Sequence, residues 1–330
     1  MTSNTFKIKF AILVATQIAL LAACSKDPIE PVENSSTGLA PSVISCIYTQ
    51  QIDGVFEICK THNQEHSTLT PSNGKDKWWP KHSPVSNEIL FYQSNSARDI
   101  NDYSSASLWK INTSGGLEEL IPQGAFGWDK QGQCNWSHDG SSILMAAVDS
   151  TIGSWQVYIT DANGENPIRI TKRNEVDYFD PIFNLDDRTI LCSTIPEGEG
   201  MVNSNIEIVR IDIVSGEEER LTFNEFRDHH PDISPDGNTI LFESLVDPDY
   251  LSIGKWAIKE MNLSSMEEYV LIEDNNINLF PKYSQSGELI YLTELNIETF
   301  QMNAVVYSLV NKQKSDVIHT ENITMNPDPI

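Results

Sequence analysis

Residues 231–242 read PDISPDGNTILF, and this stretch decides the fold because the chain repeats it. Residues 80–91 are PKHSPVSNEILF, 134–145 CNWSHDGSSILM, 181–192 PIFNLDDRTILC and 281–292 PKYSQSGELIYL. The five segments align without a gap at spacings of 54, 47, 50 and 50 residues. Each carries a proline (Cys134 once), then Ser or Asn three positions on, then a turn such as Pro235-Asp236-Gly237. An apolar run follows, starting at Ile89, Ile143, Ile190, Ile240 or Ile290. Asp-Gly and Ser-Gly supply the tight turn of a hairpin, and the Ile-Leu-Phe runs have the β-branched and aromatic character of a buried strand. Third and fourth strands follow, for example Trp155–Asp161 then 167–171, and 206–213 then 218–222, with Asn163-Gly164 and Ser215-Gly216 as turns. Four short strands in a period of about 50 residues predict a propeller blade, not a helical solenoid.

The two ends are complementary. Residues 43–70 hold three strands of a blade without the first, and 322–327, NITMNP, match 276–281, NINLFP. The expectation is an all-β protein: a six-bladed β-propeller of four-stranded antiparallel blades over 43–330, closed by the C-terminal strand joining the N-terminal blade. Closure gives the first blade its missing inner strand and leaves only short, protected outer edges. The alternative is five blades flanked by two frayed partial repeats.

The S-P-D-G turn followed by I-L-F, best preserved at Ser234-Pro235-Asp236-Gly237, resembles the repeat of the TolB-type propellers. That repeat also occurs in the propeller domains of prolyl oligopeptidase-like proteins and in oligogalacturonate lyases. The resemblance covers 43–330 and implies a fold more than a function, since such blades serve as scaffolds, substrate gates and lyases. TolB carries an α/β domain ahead of its propeller, for which the segment between Cys24 and Val43 is too short, and no hydrolase domain is expected beside the blades.

Composition narrows the partners. The 330 residues carry 22 Lys+Arg against 47 Asp+Glu, a net charge of −25, with 39% hydrophobic content. That is enough apolar material for a core, and a charge opposed to nucleic acid and to anionic headgroups. Lys7 and Lys9 precede an apolar run from Phe10 to Ala23 that ends in Leu21-Ala22-Ala23-Cys24, the pattern of a secretory signal over 1–23. The L-A-A-C sequence resembles a bacterial lipobox, which implies cleavage and acylation at Cys24. Loss of two lysines would then leave a mature charge of 20 − 47 = −27. Residues 25–42, SKDPIEPVENSSTGLAPS, read with Cys24 as a flexible tether. Ser25 after the lipidated cysteine resembles the rule for an outer-membrane destination, facing the periplasm or the surface. Membrane association is therefore expected through lipid alone.

No G-x-S-x-G, H-E-x-x-H or Walker loop occurs. The S-x-x-K pattern at Ser72–Lys75 and Ser252–Lys255 lacks a helix start. No catalytic residue, metal or cofactor is expected. Cys46 and Cys59 fall on consecutive predicted strands: a four-residue loop from Gln51 to Gly54 sets them opposite and allows a disulfide, whereas a two-residue Asp53-Gly54 turn pairs Cys59 with Tyr48. Cys134 and Cys192 read as small buried hydrophobes.

The most informative positions precede each anchor, where the chain enters the innermost strand. Round the ring these are Trp79, Gln133, Asp180, His230, Phe280 and Asn326, with Trp78, Phe179 and His229 one residue earlier. Superposed blades would cluster them at one mouth of the channel, where aromatic anchors beside a few polar groups grip a ligand or a partner's segment; otherwise they pack the blade junctions. His229, His230, Asp180 and Gln133 have metal-ligand chemistry, but the other positions are Trp, Phe and Asn, so the set falls short of a metal site. The function expected is a lipid-anchored cell-envelope scaffold that binds envelope proteins or a peptide or glycan at the mouth. The alternative is a metal-dependent oligogalacturonate-type lyase or a glycan-binding protein of a nutrient-uptake system, with Trp78, Trp79 and Phe280 as stacking platforms.

Overall fold

Six four-stranded antiparallel sheets stand in a ring in the computed structural model, which describes residues 44–95, 100, 102–112, 115–195, 206–225, 227–250 and 254–330. The signal segment, Cys24 and the tether lie outside the described residues, as does Ser252. No helix among the described residues is long and apolar enough to cross a membrane.

The innermost strands are Thr324–Pro329, Lys77–His82, Trp128–Trp136, Tyr178–Phe183, Asp228–Ile233 and Ile277–Tyr283, and each lies against the next around a closed circle. The first blade is completed from the far end of the chain, with Thr324–Pro329 pairing antiparallel to Ser45–Ile52. Five blades with frayed ends are thereby excluded.

The apolar runs do not alternate because both faces of every sheet are covered. Ile240 and Phe242 pack on the fourth blade with Leu191 and Ile208, while Leu241 between them packs on the sixth with Ile290 and Leu292. Every junction has such a cluster. Ile47 and Ile58 meet Ile89 and Phe91 between the first and second blades, and Cys46 and Tyr48 meet Tyr291 and Val306 between the first and sixth.

The S-P-D-G turn works by local bonding. Ser234 Oγ donates to Asp236 Oδ1 at 2.6 Å and accepts the Thr239 N–H at 3.0 Å, while the Gly237 N–H reaches the Ser234 carbonyl at 2.9 Å. Gly237 has φ 72°, which favours glycine, and a Cβ there would come within 2.9 Å of Leu185 from the preceding blade. The turn motif therefore seats one blade on the next.

Two further devices recur. An acid or amide near the start of the third strand takes a hydrogen bond from a threonine two residues past the fourth: Thr70 Oγ1 to Glu57 at 2.7 Å, Thr171 to Gln156 at 2.6 Å, and Thr222 to Glu207 at 2.5 Å. Between blades, Asp232 accepts from Lys282 Nζ and the Tyr283 N–H, both at 2.8 Å, and Asp328 accepts from Lys81 Nζ and the His82 N–H, both at 2.9 Å. The second clasp ties the closing strand to the second blade.

Glu207 gives a pH dependence. Burial pushes its carboxyl up to about 7, against the hydrogen bond from Thr222 and the charge of Arg220. A folded-state value above the ordinary 4.5 means the folded chain binds this proton more tightly. Its contribution is thus full below about pH 4.5 and is lost as pH rises through about 7. Gln156 holds the equivalent place in the third blade, so Glu207→Gln is expected to fold. It should remove a loss of roughly 1–3 kcal/mol between pH 5 and pH 8, read from urea unfolding of variant and parent at both pH values.

The Asp53-Gly54 turn has two residues, with Ile52 opposite Val55, Tyr48 opposite Cys59 and Cys46 opposite Thr61. Of the two arrangements left open by the sequence the two-residue turn is the one formed, so the possible disulfide is corrected: Cys46 and Cys59 lie diagonal in the junction core, and both thiols are free. Cys134 and Cys192 are fully buried.

Candidate functional site at the channel mouth

Each innermost strand carries a β-bulge at the same place. The register slips between Trp78 and Lys81, Gly132 and Cys134, Phe179 and Ile182, His229 and Asp232, and Leu279 and Lys282, and likewise where the closing strand meets Ile47 and Thr49. The residue in each bulge is the one singled out from sequence. Trp79, Gln133, Asp180, His230, Phe280 and Asn326 all have φ between 48° and 57°, left-handed backbone in six residues that are not glycine. Such conformations cost about 1–3 kcal/mol each and re-aim the side chain. The proline that follows in five of the six lacks an N–H, and the bulge is where no ladder bond is owed.

The strained backbone is held by neighbours. The Asp180 N–H donates to Gln133 Oε1 at 3.3 Å and the His230 N–H to Asp180 Oδ2 at 3.4 Å, each the bulge residue of the preceding blade. The Phe280 N–H donates to Glu243 Oε2 at 2.8 Å, and the Asn326 N–H to Thr293 Oγ1 at 2.9 Å.

The bulged side chains meet on the axis. Trp79 of the second blade lies 5.5 Å from His230 of the fifth, which stands opposite, and 5.4 Å from Phe280; His230 and Phe280 are 4.6 Å apart, edge to face. These rings plug the channel at this level. Around them His229 stacks on Phe179 at 6.2 Å and tilts toward Trp256 at 5.6 Å, leaving its side chain 19% exposed. Trp78 does not join this cluster. It is fully buried, stacked on Tyr92 and edge-on to Tyr103, because the residue before the bulge points into the sheet junction in that blade. The stacking role expected of Trp78 is corrected to packing.

The charged part of the site sits between the fourth and fifth blades. Asp180 is 5% exposed. Its Oδ2 accepts from Ser193 Oγ at 2.9 Å and lies 3.5 Å from His229 Nδ1. Its Oδ1 lies 3.0 Å from His230 Nε2, yet no donor among the described residues meets it in hydrogen-bond alignment. His230 Nδ1 is 2.9 Å from Glu243 Oε1. Burial would lower the His230 imidazole, but the charges of Asp180 and Glu243 and the hydrogen bond to Glu243 outweigh it and raise it to about 10. Burial likewise opposes ionisation of Asp180, and the imidazoles of His230 and His229 beside it hold its carboxyl well below the usual range. With Trp, Phe and Asn at the other ring positions, the set was expected to fall short of a metal site. The structure brings one ligand atom from each of Asp180, His229 and His230 within 4.8 Å of one another.

Glu243, Ser193 and Trp256 were missed. For Glu243 a signal existed: the second-strand residue opposite the bulge entry is Tyr92, Ala146, Ser193, Glu243, Thr293 and Thr49 around the ring, so Glu243 is its one charged member. Trp256, on a third strand, carried none.

The sequence matches no protein-family model and no curated protein. Solved structures match it in fold. TolB from Acinetobacter baumannii is similar with a TM-score of 0.67 at 14% identity, over 87% of this chain and 67% of that one. A putative TolB from Agrobacterium tumefaciens is similar with a TM-score of 0.63 at 18% identity, over 86% and 92%. An oligogalacturonate lyase in complex with manganese is similar with a TM-score of 0.56 at 13% identity, over 84% and 74%. The chain is a six-bladed β-propeller with the fold of the TolB propellers.

Proposed function

We propose that this protein is a non-catalytic binding scaffold of the bacterial cell envelope, anchored through lipid on Cys24 and carried clear of the membrane by residues 25–42. Its channel mouth grips a segment of a partner protein. The observation that carries this reading is the ring of six bulged, left-handed residues: backbone strain repeated at one level of every blade aims dissimilar side chains at one place, and such strain gathers where a protein does its work. Phe179, His229 and Trp256 remain partly exposed around the plug and Phe280 within it, aromatic anchors beside a carboxylate–imidazole cluster. The chain's charge of −25 favours a basic segment, which would associate faster and with salt dependence. The outer membrane is the destination that Ser25 supports.

The test is capture from an envelope extract by the full chain in detergent, beside a Phe179→Ala/His229→Ala variant with the parent's melting profile. A partner held by the parent and lost by the variant is expected, together with release of a Cys24→Ala chain from the membrane fraction. Equal capture by both proteins moves the site off the mouth.

A further inference from the structure

We propose that Asp180, His229 and His230 bind a divalent transition-metal ion of the zinc type at the mouth of the channel. The argument starts from Glu243. A histidine that ligates a metal commonly gives its other ring nitrogen to a carboxylate, which fixes the ring's orientation. Glu243 Oε1 stands 2.9 Å from His230 Nδ1 and leaves Nε2 facing Asp180. Asp180 is oriented in turn: Ser193 and the His230 N–H occupy Oδ2, and buried Oδ1 has only His230 Nε2 beside it, at 3.0 Å and out of hydrogen-bond alignment. A buried carboxylate oxygen without a donor is costly and is the acceptor an ion would satisfy.

The spacing fits as well. Two donors about 2.0–2.1 Å from a tetrahedral ion stand about 3.3 Å from each other. Asp180 Oδ1 and His230 Nε2 are 3.0 Å apart, and Asp180 Oδ2 and His229 Nδ1 3.5 Å. Two imidazoles and a carboxylate are a zinc-type donor set, whereas magnesium and calcium take oxygen donors. The two buried carboxylates require positive charge between them. A cation held by Asp180 and the two imidazoles supplies it. Three protein ligands leave a zinc-type ion one open position, which a donor atom of the bound segment would take.

This site lies in the mouth assigned above to partner binding, but its test reads the ion alone. The full chain in detergent is stripped with chelator, equilibrated with Zn²⁺ or with Mn²⁺, freed of excess ion and analysed for bound metal and melting temperature, with Mg²⁺ and Ca²⁺ in parallel. About one Zn²⁺ per chain is expected, with a raised melting temperature and no uptake of Mg²⁺ or Ca²⁺. His229→Ala, at a partly exposed side chain, should keep the fold and lose the ion, and Glu243→Gln should weaken affinity about 10–100-fold. No bound ion in the parent overturns the proposal and leaves the cluster as a buried ion pair. Equal uptake by the parent and His229→Ala overturns it by placing the ion elsewhere. Partner capture in the presence of chelator stands or falls separately.

Discussion

A chain ending at Glu321 is expected to lose its cooperative melting transition and to run as aggregate on gel filtration. Residues 322–330 supply the innermost strand of the first blade, and their removal leaves one edge of Ser45–Ile52 without its partner. An unpaired edge of that length templates association between chains. The deletion also takes Asp328 from Lys81, whose side chain is only 8% exposed; a buried charge left without its partner costs about 3–5 kcal/mol. Loss of Met325 from its cluster adds to this. Together these approach the roughly 5–15 kcal/mol that hold a domain folded. The point variant Asp328→Ala should keep the strand and lower the melting temperature markedly. A truncated chain that melts cooperatively within a few degrees of the parent would show that the ring needs no closure.

The second large effect is expected at Lys77. This lysine is fully buried between the first and second blades, where its ammonium donates to Glu57 Oε2 at 2.8 Å, Asn73 Oδ1 at 3.0 Å and the Lys75 carbonyl at 3.1 Å. Lys77→Met removes the countercharge from Glu57, which is itself 2% exposed. Urea unfolding should show a loss of about 3–5 kcal/mol. Replacing both residues, as Lys77→Met with Glu57→Leu, should recover most of that loss, because desolvating two ions nearly cancels their attraction. A single variant within about 1 kcal/mol of the parent would mean that water reaches the pair.

Much of this architecture was legible because a blade is a local object written several times. The turn at Ser234-Pro235-Asp236-Gly237 and the Ile-Leu-Phe run gave strand boundaries in each copy, and the match of 322–327 to 276–281 gave the closure. The Cys46–Cys59 relation stayed open because turn length alone sets it, and a two-residue turn was as compatible with the pattern as a four-residue loop. At the mouth, alignment of the repeats found all six bulge residues, since a repeated fold puts equivalent positions at equivalent places. It could not show that Trp78 turns inward while His229 turns out, because that depends on how neighbouring sheets pack. It did mark Glu243 as the one charged residue at its repeat position, but not that this carboxylate faces His230 across two paired strands.

The central claim is that the bulge ring forms a partner-binding mouth. A benzophenone amino acid placed at Phe179 of the full chain, and separately at Leu185, tests it by irradiation of intact cells. Leu185 lies in the turn after the innermost strand, at the opposite face, and is 39% exposed. The account predicts a discrete cross-linked protein from Phe179 and none from Leu185. The same product from both positions, or a product from Leu185 alone, would contradict it.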